Sequence, residues 1–99
     1  MNTGIDEKSK EKIIAIINAL VPEASIYLFG SRARGDYQHG SDIDIALEAS
    51  QPISSFVTGE IMSIFEASNL RYKIQVLSIN SVSDKMRENI LRDKIVWKN

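Results

Sequence analysis

From Asp6 to Lys12 the chain is polar. Apolar residues then recur every three or four positions, at Ile13, Ile14, Ile17, Leu20 and Val21. That spacing predicts a helix with one buried face. Pro22 ends it, because the residue before a proline is pushed out of the helical region. Ser25 to Phe29 is a short β-rich run closed by Gly30 and reads as a strand. Ile43 to Leu47 alternates and reads as a second strand. Between them lies GSRARGDYQHGS, where Ser31 can cap a short helix and Gly35 can close it. Ile53, Phe56, Val57, Ile61, Ile64 and Phe65 keep the spacing of an amphipathic helix, with Asn69 as its stop. Tyr72 to Leu77 reads as a third strand. Ser83 to Arg92 reads as a last helix with Met86, Ile90 and Leu91 turned inward, and Ile95 to Trp97 as a short final strand. Helices and strands thus alternate, the pattern of a small α/β (α+β) fold whose sheet is covered by helices.

Composition narrows what such a fold can do. The 99 residues make one domain, 1–99. Lys and Arg number 12 against 13 Asp and Glu, a net charge of −1, and a general nucleic-acid binder would be strongly basic. With no Cys and one His, the chain offers no disulfide framework, thiolate metal site or cysteine nucleophile. No apolar run approaches the roughly 20 residues that span a bilayer. Met1 to Lys12 is not the pattern of a signal peptide. A cytoplasmic protein without membrane contact is the expectation.

The chemistry concentrates between Gly30 and Leu47. Gly30-Ser31 ends a strand and opens a helix, where a glycine admits close backbone approach and amides point at an anion. Asp42 and Asp44 are two residues apart at a strand's start. Side chains alternate along a strand, so both face one way, with Cα atoms roughly 6.5–7 Å apart. Two carboxylates so placed can hold magnesium, and magnesium bridging them to a triphosphate serves in-line phosphoryl or nucleotidyl transfer. Ile43, Ile45 and Leu47 then form the buried face. A Gly-Ser pair alone carries no information, and a DxD alone is often a solvated turn. The combination of strand, GS, helix-sized loop, DxD and strand is specific.

The segment FGSRARGDYQHGSDIDIAL resembles the signature of the minimal nucleotidyltransferases, relatives of the DNA polymerase beta superfamily. Its GS is followed by ten residues and DxD, with the elements Ala33-Arg34-Gly35-Asp36 and Ser41-Asp42-Ile43-Asp44. The resemblance runs over nearly the whole chain. It implies a mixed sheet flanked by helices, ATP as substrate, Mg2+ as cofactor, and nucleotidyl transfer. It makes Asp42 and Asp44 the metal-binding catalytic pair and Gly30, Ser31, Arg34 and Ser41 the nucleotide-binding set. Small stand-alone domains of this kind resemble the antitoxin half of HEPN–MNT toxin–antitoxin pairs. The implied partner is a helical HEPN protein, AMPylated on a tyrosine; a homo-oligomer stays open.

One position departs from the family pattern. A third carboxylate usually stands on the next strand, where this chain reads Tyr72-Lys73-Ile74-Gln75-Val76-Leu77. Alternation puts Gln75 at that place. Its amide oxygen can touch a metal but brings no charge and cannot act as a base. Glu48 shares the parity of Asp44 but lies roughly 13 Å along the strand. Two readings follow: a transferase, or a degenerate domain that binds nucleotide or a partner without transfer. Around the core motif, Arg32 is balanced between phosphate contact and solvation. Ser41 can orient Asp42 or cap the turn. His39 and Asp36 read as loop residues. The basic residues from Lys85 to Lys98 mix with Asp84, Glu88 and Asp93 and read as a solvated face.

Overall fold

A computed structural model describes residues 2–99; Met1, the first residue of the polar lead-in, lies outside them. The leading helix, α1 (Glu7–Leu20), starts where the Asp6 carboxylate accepts the Ser9 amide at 3.0 Å, and it stops just before Pro22. There follow β1 (Ser25–Phe29), α2 (Ser31–Arg34), β2 (Ile43–Glu48), α3 (Ser55–Ala67), β3 (Ile74–Ser78), α4 (Asp84–Asp93) and β4 (Ile95–Lys98). A single 3-10 turn, Ile79–Ser81, which the periodicity does not predict, follows β3. The strands form one sheet in the order β3-β2-β1-β4. β2 and β3 run parallel, because α3 carries the chain back between them, and the other pairs are antiparallel. No helix among the described residues is long and apolar enough to cross a membrane.

The sheet has two unlike faces. One carries Ile26, Leu28, Ile43, Ile45, Leu47, Ile74 and Val76, packed under Ile13 and Ile17 of α1 and Ile61 and Phe65 of α3. The other carries a smaller cluster, Tyr27, Phe29 and Ala46, under Ile79 and Ile90. Because α4 covers only part of this second face, Asp44 and Gln75 stay accessible on it.

Several boundaries differ from the sequence pattern. Gly30, not Ser31, is the N-cap of α2; it adopts φ 78°, ψ −158° and leaves Ser31 as the first helical residue. The cap of α3 is Ser54, whose hydroxyl accepts the Val57 amide, so Ile53 is a buried residue ahead of the helix. Asn69 does stop the helix region, in a left-handed conformation at φ 62°. β3 starts two residues later than expected, since Tyr72 is drawn off to donate its hydroxyl to Asp6 Oδ1 at 2.9 Å. In α4 only Ile90 is buried, while Met86 and Leu91 are 37% and 43% exposed. Its helical period is sound, but Met86 borders an open cleft over the sheet and Leu91 faces away from it. Phe56, in the first turn of α3, is 75% exposed and outside the core.

Asp6 gives a pH-dependent check on this frame. Hydrogen bonds from the Ser9 hydroxyl and amide, and then from Tyr72, hold its carboxyl down at about 2. A carboxyl depressed in the folded state stabilises above its unfolded value of 3.8, and the contribution is lost as pH falls through the folded value. Asp6→Ala will lower the melting temperature at pH 7. The gap to the natural chain will close as melts are repeated from pH 4 toward pH 2.

Candidate active site

The antiparallel register of β1 and β2 sets Phe29 opposite Asp44, and the parallel register of β2 and β3 sets Asp44 opposite Gln75. Gly30, Ser31, Arg34, Asp44 and Gln75 therefore line one cleft of about 420 Å³, walled on the far side by Leu77, Met86 and Ile90. Gln75 is exposed and on the Asp44 face, so the alternation expected for this strand holds.

Gly30 is fixed twice over. Its positive φ lies where L side chains are strained, and an added Cβ would collide with Asp44 Oδ2 and stand 3.2 Å from Asp44 Cγ. The glycine backbone and the carboxylate are in direct apposition. Ala33 and Arg34 donate their amides to the Gly30 carbonyl at 3.1 and 3.0 Å. No side chain caps the start of α2. At four residues this helix has little macrodipole, so what it could offer an anion is its loop amides rather than its dipole.

Asp44 is half-buried on the cleft floor. Burial first, and then the neighbouring charge of Asp42, push its carboxyl above the usual range, while Arg34 pulls it down. Asp42 does not itself line the cleft but stands at its edge, close enough for that repulsion. Two crowded carboxylates of hard oxygen, one of them desolvated, fit a hard divalent cation. Among the described residues no third His, Cys, Asp or Glu joins them.

The remaining candidates separate. The Ser41 hydroxyl accepts the Gln38 amide at 2.8 Å and lies away from the cleft, so it fixes the turn before Asp42. Arg32 is buried beneath the loop and does not line the cleft. His39 is exposed, and Glu48 is engaged by the Tyr27 hydroxyl at 2.6 Å. Arg34 is half-exposed at the cleft mouth, with Asp36 at 3.2 Å and Asp93 at 3.7 Å. Asp93 is the residue sequence reasoning placed wrongly. It does not belong to a solvated face: its side chain is 14% exposed, lines the cleft and is gripped by Arg92 at 3.0 Å. Those arginines, Arg92 foremost, hold its carboxyl below the usual range. The available signal was electrostatic, since an acid as the last residue of a helix opposes the helix dipole.

A family model described as "Polymerase beta, Nucleotidyltransferase" matches residues 11–99. The chain belongs to the polymerase beta nucleotidyltransferase family. Among curated relatives, it is 30% identical over 94 residues to "Probable protein adenylyltransferase MntA" of Haemophilus influenzae, covering 93% of this chain and 82% of that one. A crystal structure of a toxin–antitoxin with AMP-PNP superposes with a TM-score of 0.78 at 27% identity, over 91% of this chain and 73% of that one. A structure of the tri-AMPylated Shewanella oneidensis HEPN toxin in complex with MNT antitoxin superposes at 0.71 and 25% identity, over 91% and 70%. The nucleotidyltransferase fold, a mixed sheet with helices, is the one expected from the GS–DxD segment.

Asp44 gives the first site prediction. Its folded-state pKa is raised, so folding penalises the ionised form, and stability falls as pH rises through that value. In metal-free buffer at pH 7, Asp44→Asn will therefore melt higher than the natural chain, while magnesium-dependent ATP binding disappears. Asp42→Asn will lose the same binding. Retained binding in both variants removes the metal assignment. The second concerns Gly30→Ala, which will lower the melting temperature and, in the protein that remains folded, weaken magnesium-dependent ATP binding by displacing Asp44.

Proposed function

We propose that this domain transfers AMP from ATP to a tyrosine of a HEPN-type partner protein and so acts as an antitoxin. The observation that carries the reading is the single cleft in which Gly30, Ser31, Arg34 and Asp44 meet. Relatives named protein adenylyltransferase, and a related antitoxin solved with an AMPylated HEPN toxin, support the substrate class.

In this reading the Gly30–Ser31 loop takes the β- and γ-phosphates with its amides and the Ser31 hydroxyl. Arg34 leaves its carboxylate partners to pair with phosphate oxygen, for which a planar guanidinium suits bidentate contact. Asp42 and Asp44 would hold Mg2+, and Ser41 fixes the turn that leads into them. Bound magnesium would neutralise charge on the triphosphate and on the developing transition state. The acceptor oxygen attacks the α-phosphorus in line, pyrophosphate leaves, and the acceptor proton must pass to a base. Gln75 cannot take it. A phenol, with an ordinary pKa near 10, needs less help than an aliphatic hydroxyl would. The net charge of −1 and the anionic cleft speak for a protein acceptor rather than nucleic acid.

The position of Gln75 opposite Asp44 also favours a second reading, a domain that binds nucleotide and partner without transferring. One assay separates the two. ATP labelled at the α-phosphate is incubated with magnesium, this protein and a candidate HEPN-type partner, and label is followed into the partner. Transfer to a tyrosine supports the first reading; nucleotide binding with no label transferred supports the second. Gln75→Glu and Gln75→Asp restore a proton acceptor on the Asp44 face. At least one will raise the rate, up to the about 10²–10⁴-fold that general-base catalysis contributes. If the natural protein is already fast and neither helps, a third carboxylate has no role in this cleft.

A further inference from the structure

Arg32 follows Ser31 on α2, yet its side chain turns away from the cleft and is 4% exposed. Its Nε and Nη2 both donate to the Ser41 carbonyl, at 3.0 and 2.9 Å, and Nη1 donates to the Thr3 carbonyl at 3.0 Å. The guanidinium carbon lies 4.9 Å from the Tyr37 ring centre and 5.2 Å from that of Tyr72. A cation this deep normally pairs with a carboxylate. Here backbone carbonyls and aromatic faces satisfy it instead. Four segments distant in sequence meet on one side chain: the N-terminal residues, α2, the loop before β2, and the approach to β3. Gly4 completes the fit. It sits at φ +73°, and a Cβ there would stand 2.6 Å from the Tyr37 ring and 2.8 Å from Arg32 Nη1.

Ser41 is the residue before Asp42. Its amide donates to the Gln38 carbonyl at 3.0 Å, and on the other side of Asp42 the Ile43 amide donates to the Lys73 carbonyl at 2.9 Å. Asp42 is thus held between two anchored peptide groups, and the grip on the first of them comes from Arg32. Without that grip, repulsion from Asp44 would push Asp42 outward. We propose that Arg32 is a positioning residue for the carboxylate pair: clamped between Tyr37 and Tyr72, it fixes the Ser41 carbonyl and thereby aims Asp42, and through Thr3 it makes the N-terminal segment part of the active site. The proposal rests on the magnesium role given to Asp42 and Asp44 above. Lysine cannot replace Arg32, because an ammonium lacks the planar fork that reaches both carbonyls between two rings.

The test is calorimetric titration of the full chain with AMP-PNP, in EDTA and across a magnesium series, for the natural protein, Arg32→Lys and Gly4→Ala, with circular dichroism as a fold control. Gly4 touches neither the cleft nor the carboxylates, so it reaches the clamp from outside. Arg32→Lys is expected to raise the magnesium concentration at half-saturation by about 10-fold or more, the range seen when a ligand-orienting partner is lost. Gly4→Ala shifts it in the same direction. Affinity for AMP-PNP in EDTA, set by the Gly30–Ser31 loop and Arg34, does not move. A folded Arg32→Lys with natural magnesium dependence overturns the proposal. So does a parallel loss of affinity with and without metal, and so does unfolding of both variants, since each assigns Arg32 a purely structural part. If the natural chain itself shows no magnesium-dependent binding, the reading of the carboxylate pair is what fails, and the clamp role falls with it.

Discussion

The antiparallel register that sets Phe29 opposite Asp44 is the constraint on which the rest of the site depends. It brings the Gly30 backbone against the Asp44 carboxylate with no room for a side chain between them. The register is held from the opposite face, where Ile26, Leu28, Ile43, Ile45 and Leu47 are fully buried. Slipping β2 by one residue would carry Ile43, Ile45 and Leu47 to the wrong face and Asp44 into the core. The core under α1 and α3 and the cleft under α4 are therefore two sides of one pairing. Hydrophobic packing, which carries no chemistry, fixes where the chemistry stands.

The cleft is assembled against local electrostatics. Asp42 and Asp44 repel each other, and Asp44 is desolvated as well. Asp93 sits at the negative end of α4 and is held there by Arg92 and Arg34. Arg34 in turn is shared between Asp36 and Asp93, so its charge is already balanced before any anion arrives. Such departures from local consistency concentrate at functional sites, where the rest of the fold supplies the compensating stability. Here the compensation is visible as the apolar cluster on the far face and as the helix caps at Asp6, Ser54 and Ser83.

How much of this was legible in the sequence depended on the range of the interactions. β1 and β2 are short apolar runs bounded by glycine and polar residues, and their limits follow almost directly. The shared face of Asp44 and Gln75 follows from the period of two. Helical period locates α4 but not the exposure of Met86 and Leu91, because a period says which residues align and not whether an open cleft lies beneath them. The sequence leaves Arg32 balanced between two readings, since its partners, the carbonyls of Thr3 and Ser41, leave no trace in residue identity. In the sequence Asp93 is one acid in a mixed charge run; only the return of β4 beside β1 brings the end of α4 into the cleft. Ser31 lost the cap position because the backbone there needs a conformation open only to glycine.

Gln75 keeps one negative charge out of this cleft and, with it, a general base. A carboxylate there would stand beside Asp44, whose carboxyl already resists ionisation. It would add an anion to a cleft that already holds Asp44 and Asp93, with Asp42 at its edge and Arg34 as its cation. In the proposed reaction the acceptor is a phenol, more acidic than an aliphatic hydroxyl by several orders of magnitude, so the demand on a general base is smaller. A neutral amide can still present its carbonyl to a metal or its NH2 to a phosphate oxygen. A glutamine here is compatible with a tyrosine acceptor, which gives up its proton more easily than an aliphatic hydroxyl, while a carboxylate in its place would still speed the step.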